Sequence, residues 1–215
     1  MNKALSLILA LAAAAGFVSS AQAQDAKAGE KKAAMCIGCH GIPGYQASFP
    51  EIHKVPMISG QSSKYIVAAL NAYKKGERKH PTMKGIAASL TDQDMADLGA
   101  FYETNGGATG NTAAAPAAPA AVAELLKKGN CASCHGENLN KPIDPSYPKL
   151  AGQHADYLYV ALKAYQTENN PQVGRGNAIM AGMAKPFSHA ELKQLATYIA
   201  SLPSDLKTVP ESRFR

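Results

Sequence analysis

A five-residue cysteine motif occurs twice in this chain and limits the folds that the chain can adopt. Residues 36–40 read CIGCH, and residues 131–135 read CASCH, 95 positions further on. In both motifs two cysteines three positions apart are followed at once by a histidine, and these are the chain's only 4 cysteines. Any fold must therefore place two thiols and an imidazole together at two separate points.

The likeness between the two halves extends beyond the motifs. The segment 55–73 matches 147–165 at an offset of 92 residues, with Pro, Gly-Gln, Tyr, Ala-Leu and Ala-Tyr in common. The segment 83–102 matches 180–199 at an offset of 97 residues. Three aligned blocks in the same order indicate an internal duplication.

The duplication predicts two small domains joined by a linker. We place the first domain at residues 24–104, the linker at 105–121 and the second domain at 122–215. The linker is rich in Ala, Gly, Thr and Pro and has no apolar periodicity. Pro116 and Pro119 argue against a helix there.

Each copy is predicted to be all-α, with about three helices, long loops and no alternating strand pattern. The predicted helices cover about 25–35, 62–75 and 91 onward in the first copy, and about 120–130, 154–167 and 188 onward in the second. Thr91 and Ser188 are N-cap candidates, because Asp94 and Glu191 stand three residues further on.

The apolar faces of these helices form the predicted core. Tyr65, Leu70 and Tyr73 lie on one face of the second helix, and we interpret these aromatic side chains as core. Each copy has fewer than 100 residues and long loops, so its own core is thin. A large apolar group is needed to fill it.

The first 23 residues are predicted to be a cleaved signal peptide. Lys3 supplies the basic start, residues 5–18 are apolar and uncharged, and Ala21 to Ala23 form a small-x-small cleavage pattern. The apolar run is shorter than the about 20 residues that span a membrane. We therefore expect export to the periplasm, with cleavage near Ala23.

The charge balance is moderately basic, with a net charge of +6 that falls to +5 when Lys3 is removed. A basic surface favours acidic protein partners or anionic lipid headgroups. Nucleic acid is not an expected partner, because the lysines are scattered and the chain is exported.

Three chemistries use pairs of closely spaced cysteines. Zinc sites usually combine two such pairs about 15 to 20 residues apart, whereas a whole repeat and the linker separate Cys39 from Cys131. A redox dithiol is compatible with export, but it leaves the histidine unused, and no βαβ pattern surrounds either pair.

Covalent haem uses every residue of the motif. Both thiols add to haem vinyl groups as thioethers, and the adjoining histidine then meets the iron. The predicted residues are Cys36, Cys39 and His40 in the first copy, and Cys131, Cys134 and His135 in the second. The sequence thus predicts two covalently attached haem c groups, which also supply the apolar filling.

The sixth iron ligand separates electron transfer from other haem chemistry. Methionine opposite histidine closes the iron and suits electron transfer, whereas an open position suits gas binding or peroxide chemistry. Met83 and Met180 each precede the predicted N-cap of the third helix by eight residues. This paired placement favours ligation over packing by chance. His80 is a rival donor, but Asn177 stands at the equivalent place in the second copy.

The remaining candidates are less regular. His53, His154 and His189 have no equivalent in the other copy and are interpreted as surface or loop histidines. Arg175 precedes Met180, and it is interpreted equally well as a partner of a haem propionate or as a solvated arginine.

The segments CASCHG, YPKLAGQHADYL, ALKAY and IMAGMAKPFSHAEL resemble the second half of the dihaem cytochrome c4 family. Members are exported proteins made of two class I cytochrome c domains. The resemblance implies His–Met ligation, by His40 with Met83 and by His135 with Met180. It also implies that the carbonyls of Pro56 and Pro148 accept the histidine N–H groups, and that the haems face each other through their propionates.

The same resemblance implies an electron carrier of a respiratory chain. Its partners would be a respiratory donor and a terminal oxidase or similar acceptor, with peripheral membrane association and no small-molecule substrate. Two alternatives stay open. One is a cytochrome subunit of a dehydrogenase complex. The other is a dihaem peroxidase-type enzyme, which would need a vacant or displaceable ligand on one iron.

Overall fold

The structure is a computed structural model that describes residues 24–107 and 113–210. The predicted signal peptide, 1–23, lies outside the described residues, as does part of the predicted linker. Within the described ranges, none of the helices is long and apolar enough to cross a bilayer.

The two halves contain matching sets of helices. In the first half they are α1 (Ala26–Lys32), α2 (Ala34–His40), α3 (Ser63–Lys74), α4 (Pro81–Ala88) and α5 (Asp92–Asn105). In the second half they are α6 (Ala120–Lys128), α7 (Ala132–His135), α8 (Ala155–Gln166), α9 (Ala178–Ala184) and α10 (His189–Ala200). The prediction of a tandem, mostly helical duplication is confirmed.

The predicted third helices begin where their capping residues place them. The hydroxyl oxygen of Thr91 accepts the N–H of Asp94, and that of Ser188 accepts the N–H of Glu191. In both cases the acidic side chain accepts the N–H of the capping residue in return, so both helices start with a complete capping box.

The structure corrects the predicted number of helices. The first predicted helix of copy one is two short helices, α1 and α2, which meet at Ala33. The helices α4 and α9 stand where the sequence indicated loops. A run of seven or eight residues with small side chains lacks a strong amphipathic pattern, so these short helices gave no clear periodic signal.

Four two-residue strands were also not predicted: β1 (Gln46–Ala47), β2 (His53–Lys54), β3 (Arg78–Lys79) and β4 (Gly174–Arg175). The strands β1 and β2 pair antiparallel within the loop 41–62, which joins α2 to α3. The strands β3 and β4 pair antiparallel across the two halves, with Arg78 opposite Arg175. Segments this short are too brief for alternation to be visible.

In the first half, α1 packs closely against α5 through a glycine. A Cβ added to Gly29 would lie 2.1 Å from the backbone oxygen of Asp97, so only glycine permits this approach. The buried Asp97 carboxylate then accepts hydrogen bonds from the N–H of Asp25, from Lys32 Nζ and from Gln93 Nε2, at 3.0, 2.7 and 2.7 Å. These contacts hold the start of the domain against its last helix.

Each half has its own small apolar core. In the first half Met95 and Leu98 are almost fully buried, and Phe101 and Tyr102 pack beside them. In the second half Leu192, Leu195 and Ile199 take the corresponding place on α10. The last helix of each half therefore supplies the centre of its core.

The two halves also meet in a polar interface. Glu51 pairs with Lys163 at 2.7 Å, and the Asp156 carboxylate accepts the N–H of Lys54 at 3.0 Å. His53 is 4% exposed and lies against Tyr157, with ring centroids 6.2 Å apart. The interpretation of His53 as a surface or loop histidine is correct only as to the loop, because the loop 41–62 folds into this interface and buries the side chain.

Candidate functional site

The cysteine motif of the first half lies on α2. Cys36 and Cys39 are separated by one helical turn, so their side chains share a face, and His40 ends the helix. In the second half Cys131 caps the short helix α7, which ends at His135. The same spacing on two helix ends produces two equivalent arrangements of thiols and imidazole.

The four thiols are free and partly buried. Burial raises the pKa of the Cys36 thiol and of the Cys131 thiol. A redox-active dithiol needs the opposite shift, toward the thiolate. The environment of the motif therefore argues against disulfide exchange chemistry.

Both motif histidines are held by a proline carbonyl. His40 Nδ1 donates to the oxygen of Pro56 at 2.8 Å, and His135 Nδ1 donates to the oxygen of Pro148 at 3.0 Å. A carbonyl oxygen can only accept, so Nδ1 carries the hydrogen and the lone pair of Nε2 is left for a metal. The contact implied by the resemblance is present in both halves.

The electrostatic environment keeps both rings neutral. Burial lowers the pKa of His40 and of His135, and in each case the proline carbonyl opposes this only partly. A neutral imidazole is the form that binds a metal. Two thiols, a neutral oriented imidazole and a thin apolar core are the donors and the surroundings that haem c requires.

The zinc alternative finds no support in the described part of the chain. No group of three or more His, Cys, Asp or Glu side chains comes together there in a way that could hold a metal ion. Each motif supplies only two thiols and one imidazole, one donor short of a closed tetrahedral site.

Met83 and Met180 occupy the same position on equivalent helices. Each is the third residue of its short helix, α4 or α9, and each is half-buried. The N–H of Met83 donates to His80 Nδ1 at 3.4 Å, and the N–H of Met180 donates to Asn177 Oδ1 at 2.9 Å. His80 therefore has the role of Asn177, an N-cap, which explains why a histidine and an asparagine stand at one position.

Arg78 and Arg175 lie opposite each other where β3 and β4 pair across the two halves. Each guanidinium lies over two tyrosine rings, Arg78 over Tyr65 and Tyr73 at 5.3 and 5.7 Å, and Arg175 over Tyr157 and Tyr165 at 5.6 and 5.4 Å. Arg175 donates to the Tyr157 hydroxyl at 3.1 Å. Arg175 is thus not a plain solvated arginine, and these tyrosines flank a charged pair rather than fill a core.

The sequence interpretation missed Arg78 although its signal was present. Arg78 and Arg175 differ by 97 positions, the offset that relates Met83 to Met180. Neither guanidinium forms an ion pair with a carboxylate among the described residues. Two partly buried cations without anions fit acidic groups of a bound cofactor, and haem propionates are such groups.

The comparisons with known proteins agree with this geometry. The cytochrome c family model matches residues 26–105 and 119–203, one match for each half. Cytochrome c4 of Azotobacter vinelandii is 31% identical, over 94% of this chain and 100% of the relative. The chain belongs to the cytochrome c4 family.

Further comparisons refine this picture. The crystal structure of reduced recombinant cytochrome c4 from Pseudomonas stutzeri matches with a TM-score of 0.60 and 27% identity, over 84% of this chain and 100% of that chain. A protein of Stutzerimonas stutzeri (strain A1501) named thiosulfate dehydrogenase electron acceptor is 31% identical, over 89% of this chain and 94% of the relative.

Membership of the cytochrome c4 family defines the cofactor and the general activity. The protein consists of two tandem cytochrome c domains and binds two covalently attached haem c groups. It is a dihaem c-type electron carrier, and its partners are other redox proteins.

Proposed function

We propose that this cytochrome c4 relative carries single electrons in a periplasmic respiratory chain, with both irons held between histidine and methionine. His40 and Met83 would ligate the first iron, and His135 and Met180 the second. The observation that carries the proposal is the matched placement of the two methionines, each third in a short capped helix. Other methionines differ between the two copies, since Met57 aligns with Lys149 and Met183 with Ile86, whereas this methionine is present in both.

The protein's own residues orient and protect these sites. The carbonyls of Pro56 and Pro148 fix the imidazole rings through Nδ1. The caps at His80 and Asn177 fix the start of each methionine helix. When bound, haem supplies the one-electron change between ferric and ferrous iron. With His40 and Met83, and His135 and Met180, as ligands, both sites would be closed to substrates, so we propose that the protein is not an enzyme.

The interface arginines have a second part in the proposal. Arg78 and Arg175 would neutralise propionates of the two haems where the halves meet, consistent with their lack of carboxylate partners among the described residues. The periplasmic location rests on residues 1–23, which have the pattern of a cleaved signal. Peripheral membrane association would follow from the basic net charge, which is +6 for the whole chain and one less once Lys3 is removed.

A second candidate partner deserves its own test because of one relative's name. A relative is called a thiosulfate dehydrogenase electron acceptor. This protein could receive electrons from such a dehydrogenase rather than from a respiratory donor. Stopped-flow mixing with a thiosulfate dehydrogenase and thiosulfate, and separately with a reduced quinol-oxidising complex, would distinguish the two donors by their rates.

The ligation is tested by spectroscopy and redox titration of the oxidised holoprotein. We expect the near-infrared band of methionine-to-iron charge transfer, with an intensity that corresponds to two methionine-ligated haems per molecule. Met83→Ala and Met180→Ala should each remove half of this band and lower one of the two reduction potentials, because methionine favours ferrous iron.

Met183→Ala is the matched control, since Met183 lies on the same helix as Met180 but is exposed. It should leave the band and both potentials unchanged. A high-spin haem in the wild-type protein would contradict the closed sites and favour a peroxidase-type enzyme. If neither ligand variant lowers a potential, the methionine assignment is wrong.

A further inference from the structure

Two buried glutamines connect each half of the protein to the histidine site of the other half. Gln61 and Gln153 are 3% and 4% exposed, and they are equivalent residues, 92 positions apart. Each follows a glycine with positive φ, Gly60 at 85° and Gly152 at 69°. A glycine is needed there, since a Cβ on Gly60 would lie 2.3 Å from the Asp205 oxygen.

The contacts of the two glutamines are reciprocal. Gln153 Oε1 accepts the N–H of Met57 at 3.0 Å, and Gln153 Nε2 donates to the Met57 oxygen at 2.8 Å. Gln61 Oε1 accepts the N–H of Lys149 at 3.0 Å, and Gln61 Nε2 donates to the Lys149 oxygen at 3.1 Å. Each side chain thus forms a closed pair of hydrogen bonds with one backbone residue of the opposite half.

These backbone residues directly follow the prolines that hold the motif histidines. The N–H of Met57 belongs to the same peptide group as the carbonyl of Pro56, which accepts from His40 Nδ1. The N–H of Lys149 likewise shares a peptide group with the carbonyl of Pro148, which accepts from His135 Nδ1. Each histidine is therefore joined through one peptide group to a glutamine of the other half.

We infer that Gln153 and Gln61 are positioning residues that tune the haem of the opposite domain. An amide whose N–H donates a hydrogen bond is polarised, so its carbonyl becomes a stronger acceptor. A stronger acceptor at Nδ1 raises the basicity of the imidazole and favours ferric iron. Gln153 thereby lowers the reduction potential of the haem at His40, and Gln61 lowers that of the haem at His135.

The inference rests on the histidine side of the proposed ligation and does not depend on which residue is the sixth ligand. Its test is a redox titration of the holoprotein with Gln153→Ala and Gln61→Ala. The two potentials are assigned to their haems beforehand by following the His40 and His135 Nδ1–H resonances as the wild-type protein is oxidised. Gln153→Ala should raise only the potential of the haem at His40, and Gln61→Ala only that of the haem at His135.

The shift at His40 should be the larger of the two. Lys149 has a second anchor, because its Nζ donates to the Gly60 oxygen at 2.8 Å and also contacts Asp205 at 3.4 Å. The backbone of Lys149 should therefore keep its position in Gln61→Ala. Met57 has no charged side chain that could hold its backbone in position in Gln153→Ala.

Ser62→Ala is the matched control for loss of an interdomain hydrogen bond without loss of charge. Ser62 Oγ donates across the interface to the Pro145 oxygen at 2.6 Å, a carbonyl other than those of Pro56 and Pro148 that accept from the histidines. This variant should leave both potentials unchanged. Proton NMR of the reduced, diamagnetic protein gives a second readout, in which Gln153→Ala should move the His40 Nδ1–H resonance upfield and leave that of His135 in place.

The inference is overturned if both potentials move together in either glutamine variant, which would indicate general loosening of the interface. It is equally overturned if neither potential moves. Failure of the ligation itself would appear separately, as an altered absorption spectrum of the wild-type protein, whereas the glutamine variants should keep the wild-type spectrum.

Discussion

His80 and Asn177 show how different side chains perform one task at the scale of the residue. Both precede a methionine helix, and both accept the N–H of the methionine three residues on. The task requires only an acceptor atom at the right reach, which an imidazole nitrogen and an amide oxygen both provide. Because His80 and Asn177 differ in residue type, the sequence did not reveal that they are equivalent caps, and His80 was considered as an alternative iron ligand.

This equivalence predicts the result of exchanging one cap for the other. His80→Asn should retain the N-cap, the near-infrared band and both potentials, because Asn177 already serves this role in the second half. His80→Ala should lower the free energy of unfolding of the first domain by about 1 kcal/mol, the usual value of an N-cap. Chemical denaturation of the holoprotein followed by haem absorbance measures the difference. Loss of the methionine band in His80→Asn would show that His80 is itself a ligand.

At the scale of the element, the helices that begin and end each domain are joined differently in the two halves. In the first half Gly29 lets α1 approach α5, and the Asp97 carboxylate ties the two helices together. The residue equivalent to Asp97 in the second half is Gln194, which is exposed. The first domain thus depends on a buried charge where the second depends on apolar packing of α6 and α10.

The Asp97 network predicts an acid-sensitive first domain. The ammonium of Lys32 and the N–H of Asp25 lower the pKa of Asp97, so the carboxylate stabilises the fold above its ordinary pKa, about 4. The stabilisation decreases as the pH falls below the ordinary pKa, and it is gone once the pH is below the lowered pKa of Asp97 in the folded state. Asp97→Asn should cost about 2 kcal/mol at neutral pH, as expected for a hydrogen bond to a charged group.

Unfolding at several pH values checks this expectation. The wild-type first domain should lose stability in acid, whereas Asp97→Asn should show a smaller dependence on pH. Asp92→Asn is the control, because this substitution removes the same charge from an exposed residue of α5. Equal costs for the two substitutions would mean that burial of Asp97 has no special effect.

At the scale of the whole molecule, the two halves are related by an approximate two-fold arrangement. Equivalent residues face each other in β3 and β4, where Arg78 lies opposite Arg175. Gln61 and Gln153 exchange reciprocal contacts in the same manner. An interface in which residue i contacts residue j, and the equivalent of j contacts the equivalent of i, is the pattern of a symmetric dimer. The duplicated chain reproduces that pattern within one molecule.

The arginine pair predicts how the interface sets the potentials. A positive charge near a haem stabilises ferrous over ferric iron. Arg78→Met and Arg175→Met each remove such a partly buried charge, so we expect a lower reduction potential in both variants. Lys185→Met is the control, since its side chain is 75% exposed and its charge is screened by solvent. Redox titration at low and high salt measures the shifts. Equal shifts for Lys185→Met and the arginine variants would place the arginines outside the electrostatic environment of the haems.

The local and repetitive features of this protein could be predicted from the sequence. The two cysteine motifs, the duplication, the second helix of each half and the capping boxes of the third helices all depend on residues close together in the chain. The short methionine helices could not be predicted, because their composition is nearly uniform and carries little periodicity. Tyr65 and Tyr73 of α3 were interpreted as core. An apolar helix face predicts that the face is covered but does not identify the covering group, which here includes the Arg78 guanidinium.

Residues close together in the chain define the chemistry of each haem site, since two thiols and a histidine at fixed spacing admit few cofactors. The connection between the two sites, in contrast, depends on contacts that exist only in the folded molecule. The partners of Gln61, Gln153 and Arg78 lie 88, 96 and 97 positions away along the chain, and no local pattern encodes such distances. Hydrogen bonds between distant segments depend on how the folded halves dock, so the link from each histidine to the opposite domain became visible only once the halves were placed together.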